Sequence, residues 1–177
     1  MGGTVRLSKG RFLAAFLGLF AALLVGWQWT GAARYYNASL LAVAAVLGPM
    51  VHGWLLQSGA PGSAPVWVRG ADQVQAAIQF DALAVGVVPA LALVGATPGF
   101  RLARRVLMLM LALALCFVVD VLLVSTFPLL VFYKNPFTDV LGTYVGLIAF
   151  VGAPVIIWFV LAFQQLRLLL PSLQTRR

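Results

Sequence analysis

Residues Ala38 to Leu56, ASLLAVAAVLGPMVHGWLL, form a run of 19 without an Asp, Glu, Lys or Arg, about the length that spans a bilayer. The run also holds Gly48, Pro49 and, near its far end, the single histidine of the chain, His52. If it crosses a membrane, every later segment changes sides. The fold turns on that choice.

The other residues supply the context. Hydrophobic residues make up 63% of the 177 and charged residues 9%, with a mean hydropathy of +1.02, too apolar for a soluble domain of this size. The apolar residues come in blocks of roughly 20 between short polar patches, the pattern of an all-α integral membrane bundle and not the alternation of a membrane barrel. Twelve Lys and Arg against four Asp and Glu give a formal net charge of +8. The basic residues sit at the ends of apolar blocks and do not interleave with aromatics on a polar face, so they read as topology determinants in a lipid bilayer and not as a nucleic-acid footprint. A single cysteine, Cys116, excludes an intramolecular disulfide, and no Cys or His cluster has metal-ligand spacing. No metal or cofactor is expected.

The first apolar block, residues 12–29, follows Arg6, Lys9 and Arg11 and ends in Trp27 and Trp29, residues suited to a headgroup interface. Gly31-Ala32-Ala33 would serve as a signal-peptide processing site, but the tryptophan anchors favour a retained helix. Later blocks cover residues 82–97, 106–132 and 140–165. If residues 38–56 also cross, the chain has five helices. With the N-terminus inside, five basic residues (Arg6, Lys9, Arg11, Arg69, Lys134) face the cytoplasm and the other seven lie outside. If residues 38–56 stay in the outer interface, or dip in and return, the cytoplasmic set becomes Arg6, Lys9, Arg11, Arg101, Arg104, Arg105, Arg167, Arg176 and Arg177, nine against three. Only the second arrangement obeys the positive-inside rule. Gly48-Pro49 is expected to break a helix there, and His52 and Trp54 suit a wet boundary. The expected fold is therefore four transmembrane helices with both termini cytoplasmic, plus an interfacial or re-entrant segment over 38–56, in a single membrane domain.

The outward region continues through residues 57–80. QSGAPGSAP is turn-rich, and Val66-Trp67-Val68 is strand-like. Val74, Ala76, Ile78 and Phe80 then alternate with Gln75, Ala77 and Gln79, the two-residue period of a half-buried strand. With Gly70-Ala71-Asp72 as the turn, a small extracytoplasmic β-hairpin is expected.

Four residues could carry chemistry. Asp120 lies 15 positions beyond Arg105, about 22 Å along a helix, and an ionisable group inside hydrocarbon is costly unless paired. Met108, Ala112, Cys116 and Asp120 share one helix face, expected to point into the bundle, where Ser125, Thr126 or Tyr144 could bond Asp120. Asp81, at the change from strand to helix, suits a cap or hairpin anchor. Cys116 and His52 are the only candidates for a thiolate and its base, but a deep thiol is disfavoured as thiolate, so packing is the ordinary role. Gly142, Gly146, Ala149 and Ala153 make a small-residue stripe on the last helix, and Gly18, Ala22 and Gly26 another on the first; both allow close helix approach, within the bundle or with a partner. Pro154 is expected to kink the last helix without ending it. The residue sets of most enzyme mechanisms are missing.

The order of elements resembles the exosortase-associated membrane proteins of bacteria, small companions of the exosortase and archaeosortase sorting enzymes. The resemblance rests on Val88-Pro89 through Ala96-Thr97-Pro98 followed by Arg101, Arg104 and Arg105, within IQFDALAVGVVPALALVGATPGFRLARR. It extends loosely over residues 12–170 and more closely over 66–113. It implies a non-catalytic accessory protein of the bacterial inner membrane, partnered by a sorting enzyme or its substrate. The sorting enzymes are similar in being apolar multi-helix proteins, thought to use a cysteine with arginine and histidine on the outer side. Here Cys116 is deep and the outer side offers only Arg34, Arg69 and His52, so transpeptidase activity is not implied. Two rival readings are a small transporter subunit or lipid-binding module centred on Asp120, and an intramembrane cysteine transpeptidase.

Overall fold

The structure, a computed structural model, describes residues 9–57, 66–70, 72–75, 80–132, 140, 144 and 151–169. Five helices and three strands are present among them: α1 Lys9–Trp29, α2 Ala32–His52, β1 Leu55–Gln57, β2 Val66–Arg69, β3 Asp72–Gln75, α3 Phe80–Ala96, α4 Leu102–Phe132 and α5 Ala153–Leu169.

The centre of the bundle is α3, which packs against α1, α4 and α5. A helix that is apolar all round is buried all round. Accordingly Val87, Val88, Ala90, Ala92 and Val94 are all buried. Their small side chains let the neighbours come close, and a Cβ added to Gly95 would stand 3.3 Å from Leu19 Cδ1 of α1. Among the described residues a Cβ at Gly18 or Gly26, in the small-residue stripe of α1, would meet nothing within 4 Å, so neither glycine makes a close helix contact there.

One end of the bundle is fixed by a polar knot around the buried Thr97. Its hydroxyl donates to Leu93 O at 2.7 Å and accepts from Trp158 Nε1 at 2.8 Å, while its carbonyl accepts from Arg105 Nη2 at 3.3 Å. Phe12 stacks on Trp158 with ring centroids 6.1 Å apart. The start of α1, the end of α3, the start of α4 and α5 therefore meet at this arginine-bearing end. A Cβ added to Gly99, just past α3, would stand 3.0 Å from Gln165 Oε1 near the end of α5, so α1 and α4 run away from this end while α3 and α5 run toward it.

The segment that decides the fold is a helix throughout. Residues 32–52 form one unbroken α2, where Gly48-Pro49 was expected to interrupt it. Proline removes one backbone donor and crowds the preceding turn, but Pro49 lies within the last turn, and the helix ends at Gly53, whose φ of 71 suits a left-handed C-cap. The break comes earlier instead, at Gly31, also left-handed with φ 69, between α1 and α2. Beyond this elbow α2 does not fold back along α1; Leu40 and Ala44 share a core with Val121 and Val124 in the second half of α4.

The sheet has three antiparallel strands in the order β1-β2-β3, one more than the expected hairpin. Arg69 pairs with Asp72, so two residues connect β2 to β3, with Gly70 at φ 61 as such a tight turn demands. The extra strand, β1, follows Gly53 and pairs Leu56 with Trp67. Phe80, expected to end the second strand, opens α3; Ala76 to Gln79 lie outside the described residues. Trp54 and Trp67, both fully buried, join Leu40, Ala44, Val121 and Val124 in one core, which fastens the sheet to α2 and α4. We call α2 and the sheet together the cap.

The starts of α1, α3 and α4 move by about a turn or less. In the block expected to begin at 140, Val140 and Tyr144 are helical, the rest of residues 141–150 lie outside the described residues, and α5 runs from Ala153 directly after a π turn at Val151-Gly152. The wide turn leads directly into Ala153-Pro154, a local widening of the kind by which a helical path accommodates a proline without ending. Among the described residues two helical stretches are long and apolar enough to cross a membrane, Gly10–Trp29 and Leu102–Leu129, and Gly86–Ala96 and Ala153–Phe163 are shorter apolar helices. Leu102, Leu107, Met110, Leu111, Val118 and Leu122 form an exposed apolar strip along α4 that fits a lipid surround better than water.

Candidate functional site

The inward face expected from Met108, Ala112, Cys116 and Asp120 is found: Ala112, Cys116 and Asp120 are buried, and Met108 packs on the same core. Asp120 takes a hydrogen bond from a residue that is not among the three expected. Tyr36, 84 positions earlier, donates its hydroxyl to Asp120 Oδ2 at 2.6 Å. Ser125 is buried on the same helix, Thr126 donates to the backbone of its own helix at Leu122 O, and Tyr144 is exposed.

The Tyr36 ring is gripped on two sides. Trp27, at the end of α1, meets it edge-on with centroids 5.5 Å apart, and Phe117 of α4 does the same at 5.5 Å. This aromatic cluster follows from the elbow. Thr30 donates from both its N–H and its hydroxyl to Gly26 O, closing α1, and the left-handed Gly31 redirects the chain so that the first turns of α2 lie against α4. Burial, reinforced by the hydrogen bond to Asp120, pushes the Tyr36 phenol above its ordinary pKa of 10.0, so it remains a donor. The contact also fixes the depth of Asp120. It stands level with the last turn of α1, near the far end of that helix and not midway along it.

Cys116, one turn before Asp120, is a free thiol packed among Val87, Ala90, Ala112 and Ile157. His52 is the last residue of α2, 16 positions past Tyr36 or about 24 Å along the helix, so the fold does not bring the cysteine and the histidine together. The side chain of His52 lies outside the described residues. Asp81 is the second residue of α3, inside its first turn and not at its cap, and its side chain too is outside the description. Gly142, Gly146 and Ala149 are likewise outside the described residues, while Ala153 packs on the core around Val87 and Cys116.

No protein-family model, no curated protein and no solved structure matches the chain.

The geometry itself then has to carry the reading. Tyr36, the residue that completes the site, was missed from sequence because its bond to Asp120 spans 84 positions and two helices. The available signal was the pair Tyr35-Tyr36 just after Trp27, Trp29 and a glycine, a concentration of amphipathic aromatics of the sort that collects at a membrane boundary. The Thr97 knot was equally hidden, although it falls within the motif that carries the family resemblance.

Proposed function

We propose that the chain is a multi-pass protein of the bacterial inner membrane that acts as a non-catalytic accessory of an exosortase-type protein-sorting system, presenting its cap to a sorting enzyme or to that enzyme's substrate. In this reading α1, α3, α4 and α5 cross the bilayer, both termini are cytoplasmic, and the cap lies on the outer side. The alternating helix directions support it, as does the nine-to-three distribution of basic residues when α2 does not cross.

The observation that carries the reading is the Tyr36–Asp120 hydrogen bond. An intramembrane carboxylate is by default a functional group, but this one is buried and spends an oxygen on attaching the cap to the bundle. Its role is to position a surface. The exposed parts of that surface include Leu55, Gln57 and Arg69 on the sheet. The sorting system is named on the resemblance of residues 88–105 alone.

The test is to place a photo-crosslinking residue at Leu55 or Arg69 in a tagged full-length chain, irradiate the native host, solubilise gently and identify the adducts by mass spectrometry. A sorting enzyme or its substrate, crosslinked from the sheet but not from Leu13 on the outer face of α1, is the expected result. Recovery of the chain with a transport ATPase, or with itself alone, would sink the accessory role.

A further inference from the structure

We propose that the elbow between α1 and α2 binds one anionic phospholipid of the surrounding bilayer, its phosphate on Arg34 and one acyl chain in the groove between the start of α2 and α4. The proposal needs the membrane placement of the elbow but not the accessory role.

Two hollows meet there. The first, of about 850 Å³, is lined by Gln28, Thr30, Arg34 and Asn37 together with Trp29 and Tyr35. The second, of about 650 Å³, lies between the elbow and α4 and is walled by Trp27, Tyr36, Leu113, Phe117 and Val118. Tyr35 lines both, so the polar hollow and the apolar groove are neighbours across one side chain. A molecule that filled both would have a polar, hydrogen-bonding head and an apolar tail, joined at the depth where Trp27, Trp29, Tyr35 and Tyr36 cluster. That depth is the headgroup boundary of a bilayer.

Charge selects the head. Arg34 is exposed at the polar hollow, and among the described side chains the only carboxylate is Asp120, which Tyr36 already engages. Gln28 and Asn37 add neutral donors around the cation, a set that suits a phosphate diester whose charge is not cancelled by an amine. The groove continues into the exposed apolar strip of α4 through Met110 and Val118, so an acyl chain can enter sideways from the bilayer.

The experiment uses the full-length chain purified in a mild detergent. Phosphatidylglycerol and phosphatidylcholine of identical acyl chains are titrated separately, and bound lipid is counted by native mass spectrometry. Phosphatidylglycerol should be retained more tightly by about two- to fivefold, because both phosphates can accept from Arg34 and the lipids differ only by the opposing choline charge, a difference the size of an exposed ion pair. Arg34→Gln should bring the two lipids to near parity, and Arg34→Lys should restore most of the difference. Ala114→Phe, which narrows the groove, should weaken both lipids alike. All three changes are at exposed positions, and a melting curve without added lipid checks that each variant is folded. Equal retention of the two lipids by the unaltered chain would overturn the proposal. So would a preference that survives Arg34→Gln but disappears with Arg101→Gln and Arg104→Gln, which would move the anionic lipid to the opposite end of the bundle.

Discussion

Replacing Tyr36 by alanine is expected to loosen the cap from the bundle and to destabilise the protein by about 3 to 5 kcal/mol, the range for deleting a large aromatic side chain from a packed site. The change removes the ring held between Trp27 and Phe117 and leaves Asp120 buried without its donor. Two milder variants separate those losses. Tyr36→Phe keeps the ring and deletes only the hydroxyl, at an expected cost of about 1 to 3 kcal/mol for a stranded buried polar group. Asp120→Asn keeps an oxygen able to accept from Tyr36 and should retain most of the stability. Melting temperature in detergent and cellular abundance are the measurements. If Tyr36→Phe melts with the unaltered chain, the bond is not a clamp. If Asp120→Asn leaves abundance intact but abolishes a measurable transport activity, Asp120 belongs to a pathway and the accessory reading fails.

Trp67→Ala should act on the other side of the cap with an effect of similar size, about 3 to 5 kcal/mol. Trp67 is fully buried in the middle strand, paired with Leu56 on one side and Val74 on the other, and shares its core with Trp54 and the α4 residues Val121 and Val124. Its removal takes away a fully buried anchor between the sheet and the helices. The loss is local, because the core around α3 contains neither tryptophan. Trypsin should therefore cut at the exposed Arg69 faster in Trp67→Ala than in the unaltered chain, while the helices survive intact. In the double variant with Tyr36→Ala the two losses should fall short of their sum, since both release the same cap. Full additivity, or cleavage at Arg69 that does not change, would show that the sheet is not held through Trp67.

The helical framework was legible because it is written in local patterns. Apolar blocks gave α1, α3 and α4 to within a turn, and the Val66 to Val68 run with a glycine turn gave β2 and its partner. The four-residue spacing from Met108 to Asp120 gave the buried face of α4. What sequence did not give depends on contacts between distant segments. The helix-breaking tendency of Gly48-Pro49 was overridden because the break falls in the last turn of α2, with Gly53 available as a cap. The third strand, Leu55–Gln57, is three residues long and has no alternation to read; only its pairing with β2 defines it. Tyr36 and Asp120, like Thr97 and Trp158, lie on helices far apart in sequence and meet only where those helices pack.

The most direct test is of sidedness, because everything proposed for the cap requires that α2 not cross. Single cysteines at Gln57 in β1 and at Arg101 before α4, each in a Cys116→Ala background, would be treated in intact cells with a membrane-impermeant maleimide. Gln57→Cys should label without permeabilisation, and Arg101→Cys should label only after it. Protection of Gln57→Cys in intact cells, or labelling of Arg101→Cys from outside, would contradict this account.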